Sequence, residues 1–126
     1  MHPIICNFIS ENFYDRQVLT APHVRVQRES EVPNDKVISW YDHDGDEQLD
    51  GHSYYNETEV KMIGNLFFHD QDLNNALSSK KSVLVITFYN AQRNRLEVKL
   101  KEEGVDKDLV TVMSTDGAQG SEADVV

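Results

Sequence analysis

The run Ser82-Val83-Leu84-Val85-Ile86-Thr87-Phe88 constrains the fold most, because it is apolar on both faces. A strand with one face in water alternates apolar and polar residues. A continuous apolar run suits a strand covered by helices on both sides, as in a parallel sheet. The neighbouring segments agree. Asn56 with Glu59 three residues on is a helix cap, and Val60, Ile63, Leu66 and Phe67 then form one stripe to about residue 70. Beyond the apolar run, Leu96 and Leu100 share a helical face, with Lys99 and Lys101 in the last turn and Gly104 past its end. Leu109–Met113 reads as another strand, and Val125-Val126 begins one more. Strands alternating with helices predict βαβ crossovers and an α/β fold, a three-layer parallel sheet with flanking helices.

The rest of the chain is less patterned. Pro3 at a first helical position, with Ile4, Ile5, Phe8 and Ile9 at helical spacing, predicts a helix over about 3–13. Residues 14–36, with Pro22 and Pro33, read as an irregular surface excursion. Val37–Tyr41 reads as a strand, Asp42-His43-Asp44-Gly45-Asp46 as an acidic hairpin turn, and 71–81 as a polar loop. With no internal repeat, residues 1–126 are expected to form a single domain.

Hydrophobic residues make up 39% of the chain and charged ones 27%, a composition that builds a core. The net charge of −10 argues against a protein that coats nucleic acid. That charge is uneven: residues 29–72 hold twelve acids against Lys36 and Lys61, whereas 80–101 hold six bases against Glu97. This leaves room for a locally positive face, or for two ordinary solvated ones. The single Cys6 excludes an internal disulfide and suits a reducing compartment. Without an apolar run of about 18 residues or a signal-like start, an intracellular location, nucleus or cytoplasm, is expected, with no membrane partner. Asp42–Asp46 is not an EF-hand loop, because Glu47 and Ser53 stand where glycine and glutamate are required. No histidine spacing matches a zinc site, so no metal ligands are assigned.

Four segments carry chemistry. Met1-His2-Pro3 precedes Phe13-Tyr14; Ser53, Asn56 and Glu59 form S-x-x-N-x-x-E, whose physical content is helix capping. Ile86-Thr87-Phe88-Tyr89-Asn90-Ala91-Gln92 runs from strand end to helix start, where backbone N–H groups can meet a phosphate. Arg93 and Arg95 follow, able to neutralise phosphates or simply to sit in solvent. Finally, Asp116, Gln119, Gly120, Glu122 and Asp124 follow the strand Leu109–Met113, a junction suited to polar contact with phosphate or ribose.

In this order the segments resemble the second RecA-like domain of superfamily 1 helicases, in the branch of the nonsense-mediated-decay helicase and senataxin. They match its M-H-P…F-Y, S-x-x-N-x-x-E, I-T-P-Y-x-x-Q and D-x-x-Q-G-x-E-x-D patterns. The departures are Phe88 for proline, Ala118 for an aromatic residue and Ser121 for a basic one. The resemblance implies that Thr87, Tyr89, Gln92, Arg93 and Arg95 face nucleic acid, while Asp116, Gln119, Gly120 and Glu122 border an ATP cleft.

It further implies a parent that uses ATP and Mg2+ to move along single-stranded RNA or DNA, this chain being an incomplete second motor domain partnered by the first. No G-x-x-x-x-G-K-[ST] run occurs. The chain alone is therefore expected to have no catalytic residues of its own, to hold no tightly bound cofactor and not to hydrolyse ATP. Self-association through uncovered sheet edges is a further expectation. Two rival readings stand beside it: a degenerate helicase half serving as a protein-interaction module, and an unrelated small α/β ligand-binding regulator.

Overall fold

A computed structural model describes residues 1–32 and 36–126 of the chain. They divide into two units, 1–42 and 43–126. Pro33, part of the expected excursion, lies outside the described residues.

In the first unit, helix α1 spans Pro3–Phe13. Pro3 opens it, where a missing N–H costs nothing, and the Ile4 N–H donates to His2 Nδ1 at 3.3 Å. Cys6 and Ser10 lie on its buried side. Ser10 ties down the chain beyond: its carbonyl accepts from Tyr14 and Arg16, and its hydroxyl accepts from Val18 N–H at 3.1 Å.

The expected irregular excursion is corrected here, because Pro22–Glu31 form a second helix, α2. No residue of α2 is buried, so it carries no apolar stripe for a periodicity argument to find. Pro22 starts it, and Arg28 and Gln27 reach Glu31 one turn on. The strand expected at Val37–Tyr41 does not form: among the described residues no ladder involves this segment, and Ile38 and Trp40 are exposed. β-propensity alone cannot make a strand where no partner lies alongside.

The second unit opens with an antiparallel hairpin, β1 (Gln48–Asp50) and β2 (Ser53–Tyr55). The hairpin turn is therefore Gly51-His52, not the acidic segment 42–46. Gly51, at φ +64°, occupies the first central position, where a two-residue turn needs a positive φ. Helix α3 (Glu57–His69) follows, capped by Asn56 as expected. Asp70 then ends α3 and starts another helix, α4 (Gln71–Ser78), by accepting from Leu73 N–H at 2.8 Å. The polar-loop reading of 71–81 missed α4 because only Leu73 and Leu77, one turn apart, mark its apolar side.

Strand β3 (Val83–Thr87), helix α5 (Asn90–Glu102) and strand β4 (Val110–Ser114) form a βαβ unit, with β3 and β4 parallel from Val83↔Val110 to Thr87↔Ser114. Val125 forms a parallel bridge to Val83. Val83 N–H bonds Leu109, whereas Leu84 N–H bonds Val125, so Val125 lies on the opposite edge of β3 from β4. Asp124 secures that return by accepting from both the N–H and the hydroxyl of Ser82 at 2.9 Å. The fold of this unit is mixed α/β, with short parallel and antiparallel sheets.

The core joins Phe67 of α3, Val83 of β3, Leu100 of α5 and Val110 of β4, with Leu73 and Leu77 against it. Leu96, 1% exposed, is the most enclosed large side chain among the described residues. Leu96→Ala should lower unfolding free energy by about 2–5 kcal/mol in a denaturant titration, since it removes a fully buried side chain and leaves a cavity.

Gly64 lets the Lys99 stem lie close on α3, and the Lys99 ammonium pairs with Glu103. Its hydrogen bond to Glu103 holds the Lys99 pKa above the usual 10.5. A raised folded pKa means that the pair's contribution is whole below 10.5 and lost as pH climbs through the folded value. The stability gap between wild type and Lys99→Gln should therefore shrink as denaturation is repeated above that pH.

Candidate functional site

The two motifs that follow β3 and β4 meet at one end of the second unit. Because the strands are parallel and paired to their last residues, Thr87 against Ser114, both loops leave from the same carboxyl edge. The Thr115 N–H donates to the Thr87 carbonyl at 2.9 Å and locks the two exits side by side.

What holds this edge is a buried polar network around Gln92. Its side chain is 3% exposed, inside the first turn of α5. Gln92 Oε1 accepts the backbone N–H of Asn56 at 2.8 Å, and Gln92 Nε2 donates to Glu59 Oε2 at 2.9 Å. Ser53 completes the contact, its hydroxyl accepting from Ala91 N–H at 3.0 Å. All three residues of the S-x-x-N-x-x-E segment thus reach the start of α5, and Asn56 also caps α3 through Thr58 and Glu59 N–H.

A second layer comes from the acidic turn. Gly45 N–H donates to His43 Nδ1 at 3.0 Å, so the other ring nitrogen carries the proton toward Glu59 Oε1 at 3.2 Å. Asn56 Nδ2 donates to the Gly45 carbonyl at 2.9 Å. A Cβ on Gly45 would come within 2.5 Å of Thr58 Cβ, so this close approach requires glycine.

The side chains expected to face nucleic acid divide into two groups. Thr87 ends β3, and Tyr89 is the N-cap residue of α5, partly exposed beside Tyr54. Gln92 is turned inward, its amide committed to Asn56 and Glu59. Arg93 lies in the first turn, 3.7 Å from Glu97 and donating to Asn94. Arg95 stacks 3.5 Å above the Tyr55 ring, with Asp50 at 3.4 Å and Glu57 at 3.8 Å, which binds the β-hairpin to α5. Both arginines thus have carboxylate company.

The residues expected at an ATP cleft, Asp116, Gln119, Gly120 and Glu122, are exposed on the loop after β4. That loop is shaped by Ala118 N–H to the Ser114 carbonyl and Ser121 N–H to the Ala118 carbonyl, both 2.9 Å, with Gly120 at φ +80°. Among the described residues no cluster of His, Cys, Asp or Glu could hold a metal ion, and no helix is long and apolar enough to cross a membrane.

Sequence reasoning did not find the part played by Ser53, His43 and Gly45, nor the pairing of Tyr54 with Tyr89. The S-x-x-N-x-x-E segment is the one signal that pointed toward the network: Ser53 opens β2, and Asn56 and Glu59 lie one turn apart at the start of α3.

The family model described as "AAA domain" matches residues 1–126. The chain is 30% identical over its whole length to the human protein named "Probable helicase senataxin" and 28% identical to the mouse protein of that name, covering 5% of each. It is 29% identical to "DNA polymerase alpha-associated DNA helicase A" of Schizosaccharomyces pombe, again over its whole length, covering 21% of that protein. The chain thus spans a small part of these relatives. No solved structure matches it significantly. A match running from the M-H-P segment through the closing Q-G-x-E-x-D loop establishes that the chain belongs to the AAA domain family, as a partial superfamily 1 helicase-like domain.

Proposed function

We propose that this chain is part of the second RecA-like domain of an ATP-dependent helicase or translocase that acts on single-stranded RNA or DNA. One observation carries the reading: the loops after β3 and β4 emerge together at a single carboxyl edge, where α/β sheets bind their ligands. In this reading further elements complete a three-layer sheet around β3, and the first motor domain of the same parent closes over the edge.

Thr87, Tyr89, Arg93 and Arg95 flank the strand side. Gln92 acts there through the backbone it fixes, since its own amide is buried and bonded through both its oxygen and its nitrogen. Asp116, Gln119, Gly120 and Glu122 flank the nucleotide side. Their loop is open to solvent and fits one wall of a nucleotide site rather than a whole cradle. ATP and Mg2+, when bound in the parent, would supply the phosphoryl chemistry. In this chain the Asp116 and Glu122 carboxylates and the Gln119 amide offer polar contact to ribose or hydrated metal, and Gly120 lets the backbone come close.

The sequence has no G-x-x-x-x-G-K-[ST] run, so phosphate release from ATP by the chain alone should stay at background. Labelled single-stranded RNA or DNA should bind weakly in fluorescence anisotropy, and Arg93→Gln should weaken that binding severalfold, about what one lost phosphate contact removes. Equal binding by wild type and variant would take Arg93 off the strand side, and no binding at all would contradict the strand-contact assignment. It would favour the interaction-module reading, to which the paired arginines already lean.

A further inference from the structure

The carboxyl edge carries more aromatic surface than usable charge. Tyr54 of β2 and Tyr89 at the start of α5 form a tilted pair with ring centroids 5.3 Å apart, and each is 41% exposed. Phe88, between the end of β3 and Tyr89, is 80% exposed. It stands where the family pattern has proline. No packing among the described residues accounts for so much ring surface at a strand end.

The charges beside it are of two kinds. Arg95 is engaged at once by Tyr55, Asp50 and Glu57, so a phosphate would compete with three partners for it. The start of α5 has no acidic residue of its own in the first turn and no side-chain cap from Tyr89; Ser53 takes the Ala91 N–H, and Glu59 meets the Gln92 amide on the buried side. Its positive dipole end and Arg93 complement one anionic group. The Arg93–Glu97 pair is a one-turn surface pair of the weak kind, able to yield.

We propose that Tyr54, Phe88 and Tyr89 form a stacking platform for unpaired nucleobases, with the α5 N-terminus and Arg93 taking a single adjoining phosphate. The inference rests on the reading of this edge as a strand-contact face. It adds that base stacking, not arginine–phosphate pairing, supplies most of the affinity. Aromatic faces suit this task because every base has a planar face, so the platform tolerates any sequence.

The test uses the full chain and fluorescein-labelled oligo(dT), with a deoxyribose-phosphate strand of the same length lacking bases as comparison. Oligo(dT) should bind about tenfold or more tighter than the abasic strand, a difference typical of losing stacked bases. Phe88→Leu and Tyr54→Ala should each cost a comparable factor, whereas Phe88→Trp should retain binding. The dependence of log affinity on log salt should be shallow, with a slope near ~−0.7 for one phosphate. Phe88 is exposed, so its variants should keep the wild-type unfolding midpoint, which shows that any loss is not misfolding.

If the abasic strand binds as well as oligo(dT), the platform is overturned. It is overturned equally if Phe88→Leu binds normally while Arg93→Gln does not, and in that case the strand-contact reading itself survives. If wild type binds neither strand, both proposals fall. A Phe88→Leu variant as competent as Phe88→Trp would mark the patch as a plain apolar surface, suited to a protein partner instead.

Discussion

The side-chain amide of Gln92 is the interaction on which the second unit's geometry depends. It accepts from the backbone of Asn56 and donates to Glu59, so one residue of α5 binds the N-terminal end of α3 from both directions. Away from water, such bonds are strong when satisfied and costly when broken, about 1–3 kcal/mol for each group left unpaired. Ser53 on Ala91 and His43 on Glu59 extend the network to the hairpin and the acidic turn. The starts of two helices are thereby fixed beside the end of β3, and the edge where the loops after β3 and β4 emerge becomes a rigid one.

That rigidity has an electrostatic consequence. The chain is strongly acidic, and carboxylates of the hairpin and α3, Asp50 and Glu57, pair with Arg95 of α5. Arg95 in particular fastens structure instead of reaching outward. A polyanion approaching this edge meets one usable positive end and a group of exposed rings. The proposed strand contact on such a face would rely on ring surface and on backbone donors more than on counterion release.

The sequence was legible where pattern and environment agreed. The two-sided apolar run became β3, the Asn56–Glu59 spacing became a helix cap, and the paired leucines of α5 became core. It misled where propensity lacked a partner, as at Val37–Tyr41, and where helices carried too little apolar surface to show a period, as in α2 and α4. The site was half legible. Helix capping named Asn56 and Glu59 and the resemblance added Ser53 and Gln92, but contacts across 33 and 36 residues turned Gln92 inward, and no local pattern could show that. Likewise Arg93 and Arg95 read as a basic pair until Asp50 of the hairpin and Glu57 of α3 were placed beside Arg95.

The central claim, that Gln92 holds the edge together, is tested most directly by hydrogen exchange at the Asn56 amide, followed by NMR. That N–H precedes α3 and its bond is to Gln92 Oε1. The account predicts slow exchange, comparable to amides in the middle of β3, and fast exchange in a folded Gln92→Ala variant. An Asn56 amide that exchanges as rapidly as an open loop in the wild type would contradict it.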